Sequence, residues 1–184
     1  MEQNEDTILK LIRSERSVEK GFRMLMNLYQ SRLYNLIRSI VGDHDDADDV
    51  LQNTFIKAYR NINSFEERSA LSTWLFRIAT NESLTYIQSN KKKKVVESLE
   101  AGRHDIFYES VDISGEFIQT AIDRAIEELP HQQKAIFSLR YYEEMNYNDM
   151  SSILDVSVGA LKASYHHAVK KIENHIKLIS ENHY

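Results

Sequence analysis

The sequence predicts an all-α chain: two small helical domains, a helical bundle and a helix-turn-helix, joined by an acidic linker. Three observations carry this. Chain-breaking residues are rare, five Gly and one Pro in 184 residues, so the elements are long and uninterrupted. Apolar residues recur at spacings of three and four along most of the chain, as on one face of a helix, and no segment alternates as a strand would. From Val95 to Glu116 that period fades, and one basic residue stands against six acids, a local net of −5. The expected boundaries are therefore 1–94, a linker at 95–116, and 117–184.

In the first domain, Ile8, Leu9, Leu11 and Ile12 mark a short helix. Phe22, Leu25, Tyr29, Leu33, Leu36, Ile37 and Ile40 form the stripe of a longer one, with Gly42 suited to end it and Asp43 to cap the next. Ala47, Val50, Leu51, Phe55, Ala58, Tyr59 and Ile62 form the third stripe. A polar loop, Asn61 to Ser69, leads to a helix opened by Leu71, Trp74, Leu75, Ile78 and Ala79 and running into Lys91–Lys94, which cannot be core. The linker's few apolar residues, Ile106, Phe107 and Val111, suggest that it docks. The second domain restarts at Phe117, Ala121, Ile122, Ala125, Ile126 and Leu129, and Pro130 opens a helix carrying Ala135, Ile136 and Leu139. Asn146, with Asp149 three residues on, caps a helix bearing Met150, Ile153 and Leu154. Asp155 and Val156 turn the chain, and Ser157 caps a last helix whose buried stripe is Val158, Leu161, Tyr165, Ala168 and Ile172.

Composition excludes several functions. The absence of cysteine removes disulfides, thiolate metal sites and cysteine nucleophiles, and fits a reducing cytoplasm. The start, Met-Glu-Gln-Asn-Glu-Asp, is not a signal peptide, and no apolar run approaches the roughly 20 residues that span a bilayer. There is no Gly-rich phosphate loop, no nucleophile elbow and no His pair with a carboxylate at metal spacing, so no enzyme, cofactor or small-molecule substrate is expected. The aspartates from Asp43 to Asp49 lack the glycine and spacing of a calcium loop and suit a helix N-terminus. His166 and His167 are adjacent on a helix, about 100° apart, with no third ligand for zinc. The net charge of −5 argues against a DNA partner, but it is segmented: from Phe22 to Lys94 eleven basic residues meet eight acids, a local net of +3.

A short helix, a tight turn and a longer helix form a helix-turn-helix pattern, equally compatible with an ordinary helical hairpin. The sequence around it decides further. Leu129-Pro130-His131-Gln132-Gln133-Lys134, Leu139-Arg140-Tyr141-Tyr142-Glu143-Glu144-Met145-Asn146-Tyr147-Asn148-Asp149-Met150 and Leu154-Asp155-Val156-Ser157-Val158-Gly159-Ala160-Leu161-Lys162 resemble region four of an extracytoplasmic-function sigma factor. That resemblance implies that Ser157, Ala160, Lys162, Ala163, Ser164, His166, His167 and Lys170 face the minus-thirty-five promoter element. The family's usual run after the turn, Val-Lys-Ser-Arg-Leu-His-Arg-Ala, here reads Leu161-Lys162-Ala163-Ser164-Tyr165-His166-His167-Ala168. Ser164 and His167 thus replace two arginines, the commonest readers of guanine, implying altered element specificity or a weaker phosphate grip. The two histidines would either make binding pH-dependent near neutrality or serve only as hydrogen-bonding groups.

The resemblance continues in order through the first half. Tyr29, Arg32-Leu33-Tyr34 and Gly42 through Arg60 look like regions 2.1 and 2.2, implying that Asp48, Asp49, Gln52, Asn53 and Lys57 lie on or beside the contact with the clamp coiled coil of core RNA polymerase. Phe65 through Asn81 resembles the segment that opens the minus-ten element and holds a flipped base. By position, Phe65, Ala70, Phe76, Arg77, Ile78 and Asn81 are the corresponding residues; Trp74 lies on the apolar stripe and reads as core. The lysines at 91–94 suit phosphate contact or a solvated face. The acids from Glu97 to Glu116 would mimic RNA charge along the family's linker path.

The resemblance therefore implies a non-catalytic initiation factor, cytoplasmic, with core RNA polymerase, promoter DNA and an anti-sigma factor, which could hold it at the membrane, as partners. Two domains this small have limited cores, so burial against a partner would stabilise them. The rival reading is a stand-alone helix-turn-helix regulator, which would need a dimer to read paired half-sites and leaves the first domain unexplained.

Overall fold

The computed structural model describes residues 5–97 and 122–181, and the side chains of 5–90 and 122–178. In chain order come α1 (Glu5–Ile12), α2 (Val18–Val41), α3 (His44–Asn61), a 3-10 turn (Ile62–Ser64) and α4 (Leu71–Glu97). After them stand α5 (122–127 among the described residues), α6 (His131–Tyr141), α7 (Tyr147–Leu154) and α8 (Val158–Glu181). No strand occurs among the described residues. The expected linker lies outside the described residues except for 95–97, which continue α4 past the expected boundary at 94; Ile106, Phe107 and Val111 are outside as well.

The helix ends obey local chemistry. Gly42 stops α2 in the left-handed region (φ 93°), donating its N–H to the Arg38 carbonyl. Asp43 caps α3, its Oδ1 accepting from the amides of Asp45 (2.9 Å) and Asp46 (3.1 Å). These bonds to its charged form, that from Asp46 foremost, hold its carboxyl below the usual value. Pro130 stands one residue earlier than expected, as the N-cap of α6. Asn146 Oδ1 accepts from the amides of Asn148 and Asp149 while its Nδ2 donates to the Asp149 carboxylate (2.6 Å). Asp155 turns the chain through left-handed backbone (φ 54°), and Ser157 Oγ accepts from the Ala160 amide at 3.3 Å.

Helix α2 is the centre of the molecule, packing on α1, α3, α4 and α6. Its stripe from Leu25 to Ile40 is buried as expected, and Phe22 is half-buried. Each fully buried aliphatic side chain contributes roughly 1.5–3 kcal/mol relative to exposure. Tyr59 departs from the expectation: placed on the α3 stripe by periodicity, it is 49% exposed, because it points about 100° away from its fully buried neighbour Ala58 and so lies at the edge of the stripe.

The two halves do not keep separate cores. Helix α6 is buried along every residue from Lys134 to Leu139. One side of it meets α2, and Ala135, Ile136 and Leu139 join a core running from Ile8 of α1 to Leu161 of α8. Its other side, through Phe137, meets a second cluster of Ala125, Ile126, Leu129, Ala168 and Ile172. A continuous polar contact accompanies this packing. Arg32 donates from Nη2 (2.6 Å) and Nε (2.9 Å) to Glu143, Ser39 and Ser138 share a hydroxyl hydrogen bond (2.8 Å), and His131 Nδ1 donates to the Ile40 carbonyl (2.9 Å).

Candidate nucleic-acid interface

Helix α8 is anchored by Leu161, Ala168 and Ile172, which are buried, and by Tyr165, stacked on Phe137 with ring centroids 5.9 Å apart. That anchoring turns one strip outward. Ser157, Ala160, Lys162, Ala163, His166, His167 and Lys170 are exposed and Ser164 is half-buried. All eight residues expected to face DNA therefore share one surface beginning at the helix N-terminus, where free amides suit phosphate. The support beneath it is aromatic and cationic: Tyr147 of α7 lies between Arg140 of α6 (5.1 Å to the ring centroid) and Lys162 (5.7 Å). Arg140 also donates to the Met145 carbonyl at 2.9 Å, fixing the bend between α6 and α7. Sequence reading did not single out Tyr147 or Arg140, because a ring flanked by cations on two other helices has no signature in linear spacing.

The minus-ten set divides in two. Ala70, Arg77 and Asn81 are exposed on one face of α4, with Ile78 half-buried beside them. Phe65 is 6% exposed and Phe76 fully buried. Phe65 packs on half-buried Trp74 (centroids 5.3 Å apart), and the Arg32 guanidinium lies 5.2 Å from the centre of the Phe76 ring. Both phenylalanines thus lie beneath the exposed face of α4. The side chains of Lys91–Lys94 lie outside the described residues.

Asp48, Asp49, Gln52, Asn53 and Lys57 are all exposed along α3. Two already have partners: Asp48 faces His44 Nδ1 at 3.5 Å, and the Lys57 ammonium pairs with Glu82 of α4. Beside this row runs a groove of about 430 Å³ between α2 and α3, lined by Phe22, Met26, Leu51, Phe55, Ile56 and Tyr59. Ile56 and Tyr59 are 42% and 49% exposed, an apolar surface that the charged-residue reading of α3 missed. Ile56 was detectable as an apolar residue out of phase with its helix's buried stripe.

Models of known families match both halves, Sigma-70 region 2 over residues 25–93 and Sigma-70 region 4 over residues 119–172. The ECF RNA polymerase sigma-E factor of Haemophilus influenzae is 31% identical over 175 residues, covering 90% of this chain and 92% of that one. The chain belongs to the ECF family of RNA polymerase sigma factors. The sigma-E factor of Escherichia coli K12 is 30% identical with 96% of each chain covered, and the ECF sigma factor SigW of Bacillus subtilis is 27% identical over 88% of this chain and 94% of that one. Among solved structures, the sigma factor RpoE in complex with the anti-sigma factor NepR from Bartonella quintana is similar, with a TM-score of 0.66, 26% identity, and coverage of 86% of this chain and 98% of that one. CnrH in complex with the cytosolic domain of CnrY shares the fold, with a TM-score of 0.68 and 19% identity over 95% and 99% of the two chains. In this sigma factor, region 2 spans most of α2, all of α3 and most of α4, and region 4 holds α5, α6, α7 and most of α8. No described helix is long and apolar enough to cross a membrane.

Proposed function

We propose that this sigma factor docks on core RNA polymerase through α3 and the adjoining apolar groove, opens the minus-ten element with the loop at 65–70 and the exposed face of α4, and reads the minus-thirty-five element with α8. The observation that carries the reading is the α8 strip: an uninterrupted, partly cationic face beginning at a helix N-terminus and held outward by a buried stripe on the opposite side. An apolar groove flanked by Asp48 and Gln52 supports the docking half, since protein contact faces combine an apolar centre with a polar rim. The protein acts in the cytoplasm, catalyses no reaction itself, and has an anti-sigma factor as its restraint, a partner suggested by the complex of the Bartonella quintana sigma factor with NepR.

This reading requires the two regions to part. The two elements lie about 25 base pairs apart, about 85 Å at 3.4 Å per pair. Helix α8, with 24 residues, is about 36 Å long, and here both regions share one core. In this reading the packed form is the unengaged state. Polar links at Arg32–Glu143, Ser39–Ser138 and His131–Ile40 lie beside the apolar packing, and a cleft of about 800 Å³ containing Arg32, Arg38, Glu127 and Tyr142 borders it, giving water a place to enter as the regions part.

The test is in-vitro transcription on fragmented source-genome DNA, using core polymerase with and without the protein and mapping 5′ ends. Discrete starts appearing only with the protein and sharing two spaced upstream elements are expected. An active core that gains no new starts would refute the reading and leave the stand-alone regulator, to be pursued through its oligomeric state.

A further inference from the structure

Helix α4 begins directly after the 65–70 loop, and its start is unusual. The residue before its first turn is Ala70, which has no side-chain oxygen to cap the helix, so the first amides lack the local acceptor that Ser, Thr, Asp or Asn would supply. The acceptor comes from the other end of the sequence. Glu5, on α1, accepts from the Leu71 amide through Oε2 at 3.1 Å. Its Oε1 accepts from the Tyr29 hydroxyl of α2. Tyr29 is only 2% exposed and also reaches Ser72 in the same first turn. Burial foremost, and then the Glu5 carboxylate, push the Tyr29 phenol far above its ordinary value, so it stays a donor at any physiological pH. A carboxylate at a helix N-terminus is further favoured by the helix dipole.

A second contact holds the loop itself. Arg13, just past α1, pairs with Glu67, which sits in left-handed backbone (φ 54°) that a non-glycine residue rarely adopts. The base of this arrangement is rigid. Ile8, Leu9 and Ile12 are buried, and α1 lies so close to α2 that a Cβ on Gly21 would stand 2.7 Å from the Ile12 backbone nitrogen. α1 is thus tied to α2, and from there it reaches both the 65–70 loop and the first turn of α4.

We infer that Glu5 is a positioning residue for promoter opening: by capping α4 from α1, it sets where that helix begins and how the 65–70 loop and Ala70 are presented to the non-template strand. The inference rests on the reading of residues 65–81 as the opening segment. Arg13 contributes less than Glu5, because both members of its pair are about half exposed and such pairs are weak.

The experiment uses the full chain assembled with core polymerase and a single-stranded non-template oligonucleotide taken from the upstream region of a mapped start. Strand affinity and core affinity are measured for the wild type, Glu5→Ala and Glu5→Gln. Glu5→Ala is expected to weaken strand binding about tenfold, the equivalent of one lost cap, while core affinity is unchanged. Glu5→Gln keeps an oxygen for the Leu71 amide and is expected to restore most of the affinity. The Leu71 amide should exchange hydrogen faster in Glu5→Ala alone. Equal strand affinity in Glu5→Ala and a binding-competent wild type would overturn the inference, and so would a parallel loss of core affinity, which marks general destabilisation. A wild-type holoenzyme that binds no strand would instead refute the assignment of 65–81, and this inference with it.

Discussion

Lys134 is the most revealing single residue. It sits mid-helix in α6 at 5% exposure, in the packing between the two regions. Desolvation lowers its ammonium pKa, with nearby Arg38 adding to the effect and Glu127 opposing it. The sign for stability follows. Unfolded, the group titrates near 10.5, and in the fold it titrates lower. Between those values the unfolded chain holds a proton that the fold has released, so this residue makes stability rise with pH through that window. Lys134→Met keeps the stem's apolar contacts and removes the ammonium. It is expected to stabilise the fold by about 1 kcal/mol near neutrality and to abolish that rise, both measurable by urea unfolding across pH. An unchanged or lowered midpoint would show that the ammonium makes compensating contacts. A lysine costing stability at an internal interface is understandable if that interface must open, where α6 meets water.

Among the elements, α1 was the least informative in the sequence, eight residues with a short apolar pattern. In the structure it packs tightly on α2 and carries Glu5 to the start of α4. Gly21 permits that closeness. Gly21→Ala would gain about 1 kcal/mol of helix propensity. It would also place a methyl 2.7 Å from the Ile12 nitrogen and 2.9 Å from the Leu11 Cβ, and the backbone there cannot yield cheaply. A net destabilisation of about 1–2 kcal/mol is expected by chemical denaturation; a gain would mean that α1 is free to shift. The helix caps, by contrast, were legible at once. Gly42, Asp43, Asn146 and Ser157 act within three or four residues of themselves, and short-range hydrogen bonding is written in residue type and spacing.

At the scale of the whole molecule, the packing of region 4 on region 2 decides which surfaces are available. It buries Lys134 to Leu139 of α6 on all sides and leaves the α8 strip free. The proposed separation can be tested directly, since the chain contains no cysteine. Ser39 and Ser138 have hydroxyls 2.8 Å apart across the interface, close enough for a disulfide to span after modest adjustment. The Ser39→Cys/Ser138→Cys variant, once oxidised, is expected to lose start-specific transcription and to regain it on reduction. Undiminished transcription by the oxidised protein, with the crosslink verified by mass, would show that both elements are read without parting.

Helix class, order, caps and the composition of the α8 strip came from the sequence alone, because each depends on periodicity or on contacts within one turn. The family assignment was legible in the same way, through motifs in order along nearly the whole chain. Three things were settled only by tertiary structure. Phe65 and Phe76 are buried, since burial depends on which helices cover a face. Ile56 and Tyr59 became the edge of a groove, because exposure depends on how closely α2 and α3 pack along their length. The two halves shared one core, because α6 is apolar enough on two sides to be claimed by both, while the polar groups between them find partners more than 90 residues away that no local pattern records.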